Sequence, residues 1–145
     1  GFTWVKLNAL AEQHINKALQ AGGVEDFYDF LDMLNAQTRM NGGNYTRANT
    51  EDLLIATRGK GLERLNASVK QVIYSPLGEH SQKPAEARYR LEQLYGDVSR
   101  IELFSRCSAP GWHHWGNQAE NPDVIMSPGY VGNTDQLLEV AYAGR

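Results

Sequence analysis

The sequence predicts an α/β domain built on a mostly parallel sheet, with a helix pair inserted after the first strand. Three observations carry that expectation. Short apolar runs suited to strands recur between segments of helical periodicity. A helix-length segment separates two of those runs, the spacing a parallel crossover needs. Two helical segments in succession stand between the first run and the second. The 145 residues, 41% of them hydrophobic, fit a single domain over 1–145, long enough to bury about two-thirds of its unfolded surface.

Phe2 to Lys6 alternates apolar and polar residues and reads as a short strand. From Asn8 to Gln20 the period changes: Leu10, Ala11, Ile15, Ala18 and Leu19 recur at helical spacing, and Ala21-Gly22-Gly23 supplies a stop. A second helix is expected from Glu25 to Met40, with Phe27, Phe30, Leu31 and Leu34 on one face and Glu25 and Asp26 in its first turn; Asn41-Gly42-Gly43-Asn44 ends it. This helical insert, residues 8–43, sets Glu12, Glu25, Asp26, Asp29 and Asp32 against Lys17 and Arg39, a net charge of −3. It reads as an antiparallel helix hairpin packed on the domain; a substrate-selecting insert is the sharper alternative. Asp52 to Thr57 is a strongly apolar strand closed by Arg58-Gly59-Lys60-Gly61, and Val69 to Tyr74 another, closed by Ser75-Pro76. Lys83-Pro84 opens a helix that runs to Tyr95 with Ala87, Leu91 and Leu94 on one face, and Gly96-Asp97 closes it. Arg100 to Phe104 and Asp123 to Met126 are further strands, and Asn133-Thr134 caps a last helix, Asp135 to Tyr142.

Composition narrows the function classes. With 14 Lys+Arg against 17 Asp+Glu the chain carries −3, which excludes a globally basic nucleic-acid coat but not a local patch. One cysteine excludes a disulfide framework and a Cys-only zinc site. No apolar run approaches the roughly 20 residues that cross a bilayer, and no charged-then-apolar leader is seen, so a cytoplasmic location is expected. The chain opens Gly1-Phe2-Thr3-Trp4-Val5-Lys6 without a Met and already inside a strand, which reads as a fragment or processed product.

Several chemistries fail on spacing. Gly59-Lys60-Gly61 is not a phosphate loop, and no Gly-x-Gly-x-x-Gly follows a strand. His113 and His114 are adjacent, so on a strand they point to opposite faces, and no carboxylate stands at a metal-binding interval. Cys107 has no evident base partner and reads as a loop residue. The informative stretch is Arg100 to Gln118. A strand there places Glu102 and Phe104 on one face, with Arg106 just past its carboxyl end, where ligands sit in open α/β sheets. Trp112 and Trp115 follow in a Gly/Pro-containing loop, then the amides of Asn117 and Gln118. A carboxylate, a guanidinium, amides and aromatics at one edge suit an adenine nucleoside; a polar loop with two structural tryptophans is the plainer alternative.

These residues resemble the signature of the S-adenosylmethionine-dependent N(6)-adenine methyltransferases related to the catalytic subunit of the mRNA adenosine methyltransferase, a family with many phage and bacterial DNA-modifying members. Its pattern of Glu-Leu-Phe-x-Arg, Gly-Trp or Asn-Trp, and Gly-Asn-Glu/Gln stands here in order as Glu102-Leu103-Phe104-Ser105-Arg106, Gly111-Trp112 and Gly116-Asn117-Gln118. His80-Ser81-Gln82-Lys83-Pro84 is similar to the family's Ser-x-Lys-Pro segment. Asn44 to Arg47 through Glu51, Leu54 to Lys60, and Phe2 to Lys6 are similar to its flanking strands and turns. The resemblance covers most of residues 1–6 and 44–118. It implies a Rossmann-like methyltransferase sheet lacking its N-terminal strands, and a chain that binds S-adenosylmethionine as cofactor. By position, Lys83 would pair with the methionine carboxylate; Arg106, Asn117 and Gln118 would hold the ribose and adenine edge; Phe104 would wall the pocket, with Glu102 beside them. Two departures stand out. Cys107-Ser108-Ala109 replaces a polar stretch that touches the cofactor in some relatives, and the family's Asp-Pro-Pro-Trp motif, which holds the target amine, is not in the 145 residues.

The implied reaction is methyl transfer to the exocyclic amine of adenine in nucleic acid, DNA favoured over RNA. The alternative is a non-catalytic methyltransferase-like subunit that binds nucleic acid or a partner chain. A sheet missing strands exposes an edge, so a complementing chain or homo-oligomer is expected. Arg47, Arg58 and Lys60, with Arg64 and Lys70, outnumber Glu51, Asp52 and Glu63 by two; they form a candidate nucleic-acid contact, or an ordinary solvated loop. Ser127-Pro128-Gly129-Tyr130 faintly resembles the Ser-Pro-Pro-Tyr motif of other amino-methyltransferases, but a turn before the last helix accounts for it better.

Overall fold

The computed structural model describes residues 1–127 and 130–133, and the chain forms two compact units, Gly1–Gly96 and Asp97–Arg145. The first is organised around β1 (Phe2–Leu7), which lies between β2 (Thr50–Leu53) and β3 (Val72–Pro76). The alternation expected of β1 turns Phe2 and Trp4 into the core, and the register sets Trp4 beside Ile73 of β3. Both are fully buried. The Trp4 indole still satisfies its one donor, giving Nε1–H to the Ser75 carbonyl at 2.9 Å. Helix α3 (Ala85–Tyr95) buries Ala87 and packs Leu91 and Leu94 against these strands, the face its periodicity predicts.

The strand directions follow from where the insert is tied. Helices α1 (Ala11–Gln20) and α2 (Phe27–Ala36) connect β1 to β2. The chain then returns to the carboxyl end of β1: the Asn8 amide donates to Gln37 O at 2.8 Å, that of Arg39 to Lys6 O at 2.7 Å and that of Lys6 to Asn49 O at 2.9 Å. Entering β2 from that end makes it antiparallel to β1. It leaves at the amino end, Leu53 opposite Phe2, so β3 starts there and runs parallel to β1. The expected parallel neighbour is present, but the single mostly parallel sheet is not. Among the described residues there are three small sheets, with two parallel and two antiparallel pairings.

Several boundaries move for the same reason. The apolar run read as a strand over Asp52–Thr57 pairs only to Leu53; Leu54–Thr57 lie past the first residue of β1. Thr50 to Asp52 pair instead, the Thr3 hydroxyl donating to Asp52 Oδ1 at 2.8 Å. The second helix stops at Ala36, not Met40, because Thr38 and Arg39 are drawn to the end of β1. Its start is well capped: Asp26 Oδ1 accepts from the amides of Tyr28 and Asp29 at 2.8 and 3.0 Å. The largest correction concerns packing of the insert. Helix α1 buries only Ala11 and α2 buries nothing, with Phe27 66% and Tyr28 73% exposed. The apolar stripe is real, but it lies outside the core cluster of Phe2, Trp4, Ile73 and Ala87, and the insert is hydrogen-bonded at its ends through Asn8, Gln37 and Arg39.

The second unit pairs β4 (Ile101–Leu103) parallel with β5 (His113–Trp115), and β6 (Val124–Ser127) antiparallel with β7 (Tyr130–Asn133). Strand β5 stands where a loop was expected, and β7 begins where the turn was read; β6 was expected. The helix predicted over 135–142 lies outside the described residues. Among the described residues no helix is long and apolar enough to cross a membrane.

Candidate functional site

The carboxyl ends of β1 and β3, the edge at which open α/β sheets hold ligands, carry a cavity of about 360 Å³ lined by Trp4, Lys6, Arg39, Asn41, Glu51 and Lys83 among others. One carboxylate organises it. Glu51, on β2, accepts from Lys6 Nζ at 2.7 Å and from Lys83 Nζ. The hydrogen bond from Lys6, then that from Lys83, holds the Glu51 carboxyl below its ordinary range against the opposing effect of burial. The two lysines differ. Lys6 is 17% exposed, with Nζ 5.4 Å from the centroid of the Trp4 ring; Lys83 is 49% exposed. Lys6 is therefore a fixed counter-charge, and Lys83 has donors and space left for a second anion.

The turn before α3 positions Lys83. Gln82 folds back so that its Oε1 accepts from the Glu79 amide at 3.0 Å, while its own amide donates to Glu79 O at 2.9 Å. Ser81 takes φ 64°, a left-handed conformation that costs a non-glycine residue about 1 kcal/mol. Lys83 stands just before the helix, as its sequence predicts. By residue order alone Glu51 is only part of a segment similar to the family's and a negative charge. What could have singled it out is a carboxylate within a short strand whose partner strand carries Lys6 near its carboxyl end.

In the second unit the motif residues are brought together by backbone contact. Ser105, buried just past β4, donates its amide to Trp115 O at 2.9 Å and its hydroxyl to Cys107 O at 2.5 Å. Gly116 is pressed so closely onto the backbone of Phe104 and Ser105 that a Cβ would fall inside the Ser105 carbonyl oxygen. The Gly-Asn-Gln and Phe-Ser-Arg segments are thus parts of one local structure. Phe104, at φ 58°, projects an exposed ring edge-on to Trp115, centroids 5.4 Å apart. Arg106 is half-buried and Asn117 and Gln118 exposed; among the described residues none of the three side chains has a hydrogen-bond or ion-pair partner. Glu102 is half-buried on β4, opposite His114 of β5. Trp112, expected in the same loop, instead stacks on Arg100, whose guanidinium carbon is 5.6 Å from its centroid.

The adjacent histidines do differ in exposure, His114 buried and His113 exposed, but Asp123 reaches both. Asp123 Oδ2 lies 3.0 Å from His113 Nδ1, and Oδ1 accepts the His114 amide at 2.7 Å. Burial is the largest single influence on Asp123 and pushes its carboxyl up, yet the His114 amide and the two imidazoles together hold it below its ordinary range. Among the described residues no group of three or more His, Cys, Asp or Glu is placed to hold a metal ion.

The residues expected to touch nucleic acid separate. Arg47 lies on the loop that joins the carboxyl end of β1, whereas Arg58 and Lys60 follow β2 past the amino end of β1, Arg58 beside an apolar cavity of about 590 Å³. They are not one patch. Lys83 belongs to the first unit, and Glu102, Phe104, Arg106, Asn117 and Gln118 to the second.

Known proteins are similar to this chain in sequence. The Type II methyltransferase M.MunI of Mycoplasma sp is 34% identical over 97 residues, 66% of this chain and 41% of that enzyme. The chain therefore spans less than half the length of the relative it matches. The pattern of the MT-A70 family matches residues 31–118, more than half of the chain. Glu51, the Lys83 turn and the whole Glu102–Gln118 segment fall inside that match, and by it the chain belongs to the MT-A70 family.

Proposed function

We propose that this chain supplies the cofactor-holding part of an S-adenosylmethionine-dependent methyltransferase acting on the exocyclic amine of adenine in nucleic acid, DNA in preference to RNA. Membership of the MT-A70 family and similarity to a protein named as a methyltransferase support methyl transfer. The observation that carries the finer reading is the close contact at Gly116, which lays the backbone leading into Asn117 and Gln118 against that leading into Arg106. A guanidinium and two amides, none engaged by a described residue, offer the donors and acceptors that ribose hydroxyls and an adenine edge require, and Phe104 adds an exposed flat ring.

In the first unit, the family resemblance gives Lys83 the methionine carboxylate of such a cofactor. Lys83 presents a compact, half-exposed positive charge suited to a carboxylate, and Lys6 keeps Glu51 neutralised while Lys83 is engaged. The bound cofactor supplies an electrophilic methyl group, so these residues need only bind and orient; no proton relay is required of them. Calorimetry with S-adenosylhomocysteine tests the reading. Binding weakened about tenfold or more by Lys83→Ala and by Asn117→Ala is expected, the loss of one charge-assisted or polar contact each. A folded sample that binds none ends it. Methyl transfer to adenine-containing DNA by the full-length protein, competed poorly by RNA, tests the substrate.

A further inference from the structure

We infer that the loop from Asn41 to Ala48 is a nucleic-acid-reading finger, in which Tyr45 stacks on an unpaired base while Arg39 and Arg47 take the flanking phosphates. The inference rests on the nucleic-acid substrate proposed above and names the surface that meets it. Residues 39 to 48, Arg-Met-Asn-Gly-Gly-Asn-Tyr-Thr-Arg-Ala, hold two arginines, a tyrosine and no acid, in a chain of net charge −3. The Tyr45 ring is fully exposed and Met40 is largely so. Among the described residues neither arginine side chain has an ion-pair partner. Cationic groups flanking an uncovered aromatic face are what single-stranded nucleic acid binds: the ring stacks on any base and the charges track the backbone.

The loop is built to hold that ring out. Its ends are closed by the Asn41 amide donating to Ala48 O at 2.8 Å and the Ala48 amide to Gly42 O at 3.5 Å. The chain doubles back so tightly that a Cβ on Gly43 would fall inside the Thr46 carbonyl oxygen. The position is also informative. Arg39 and Asn41, at the root of the loop, line the cavity that holds Lys6, Glu51 and Lys83, and Tyr45 is four residues beyond Asn41, at most about 14 Å of chain. A base extruded toward that cavity leaves unstacked neighbours within reach of the ring.

The test uses single-stranded DNA carrying 2-aminopurine next to an adenine, titrated with the wild-type chain and with Tyr45→Ala, Tyr45→Phe, Arg39→Ala and Arg47→Ala. Wild type and Tyr45→Phe should quench the 2-aminopurine fluorescence on binding. Tyr45→Ala should lose the quench and bind about tenfold more weakly, with S-adenosylhomocysteine binding unchanged. Each arginine variant should lower the slope of log affinity against log salt by about 0.7, the release of one phosphate contact to a single strand. DNA bound with equal affinity and equal quench by Tyr45→Ala overturns the stacking role and leaves the methyltransferase reading intact. Binding of S-adenosylhomocysteine but of no oligonucleotide overturns the finger and the nucleic-acid substrate together, and points the loop to a protein partner.

Discussion

In the first unit the polar groups of the candidate site are partnered with one another; in the second the side chains of Arg106, Asn117 and Gln118 have no hydrogen-bond or ion-pair partner among the described residues, and the backbone beneath them is locked. Glu51 joins two lysines at the edge of a cavity, where an uncompensated charge would lose much of its hydration. Arg106, Asn117 and Gln118 are half-buried or exposed and stay solvated, so they need no internal partner. What they do need is a defined position, and the contact between Gly116 and Ser105 provides it. Shared charge and rigid backbone are two ways to ready a polar group for a ligand, and substitutions should tell them apart.

The sharpest break is Gly116→Ala. Its methyl has no space over the Ser105 carbonyl, so urea unfolding followed by tryptophan fluorescence should show a loss of about 3 kcal/mol, the upper end of overpacking effects. Cofactor binding should go with it. If stability is kept and only binding falls, the contact is softer than the backbone geometry implies. Next comes Glu51→Gln, which removes the shared counter-charge of two lysines and should cost about 1 kcal/mol, a partly solvated cluster being worth no more. The sign with pH follows from the depressed Glu51 carboxyl. Its stabilising contribution is present above the ordinary carboxylate range and is lost as pH falls through the lowered folded-state value. Acid unfolding of Glu51→Gln should accordingly lack that portion of the wild-type pH dependence. An unchanged acid profile would mean that the lysines do not hold this carboxylate in solution.

Lys83→Ala should cost stability less, about 0.5 kcal/mol, because Lys6 still neutralises Glu51, while weakening S-adenosylhomocysteine by tenfold or more. Asn117→Ala is the smallest in stability, within about 0.5 kcal/mol of wild type as an exposed side chain without described partners. It should nevertheless match Lys83→Ala in binding. A large stability loss at Asn117 would move that residue from the ligand to the scaffold.

Much of this was legible from residue order. The face of α3 carrying Ala87, Leu91 and Leu94 is a helical period that finds the core as expected. Lys83 stands at a helix start because Pro84 permits little else there. The segments of the second unit were recognisable by their spacing, although the contact that joins them was not, since nothing local says that Gly116 must pass over Ser105. Strand ends were read less well. Leu54 to Thr57 have strand composition yet no register partner on β1, and β5 is three residues inside a stretch rich in Gly and Trp. The stripe of Phe27, Phe30 and Leu31 predicts a buried face, and periodicity cannot reveal that the face stays outside the core cluster.

Residue order by itself determined the polar inventory: a lysine before a helix, an arginine after a strand, two amides behind a glycine, and an acidless arginine-tyrosine loop. These are statements about neighbours in the chain, where covalent distance sets what is near. Tertiary structure alone decided that Glu51 lies between Lys6 and Lys83, that Arg47 and Arg58 end up at opposite ends of β2, and that β2 runs antiparallel to β1. Each depends on where a distant segment returns, which is settled by the anchoring of Gln37, Arg39 and Asn49 at one end of β1 and by competition for a single core.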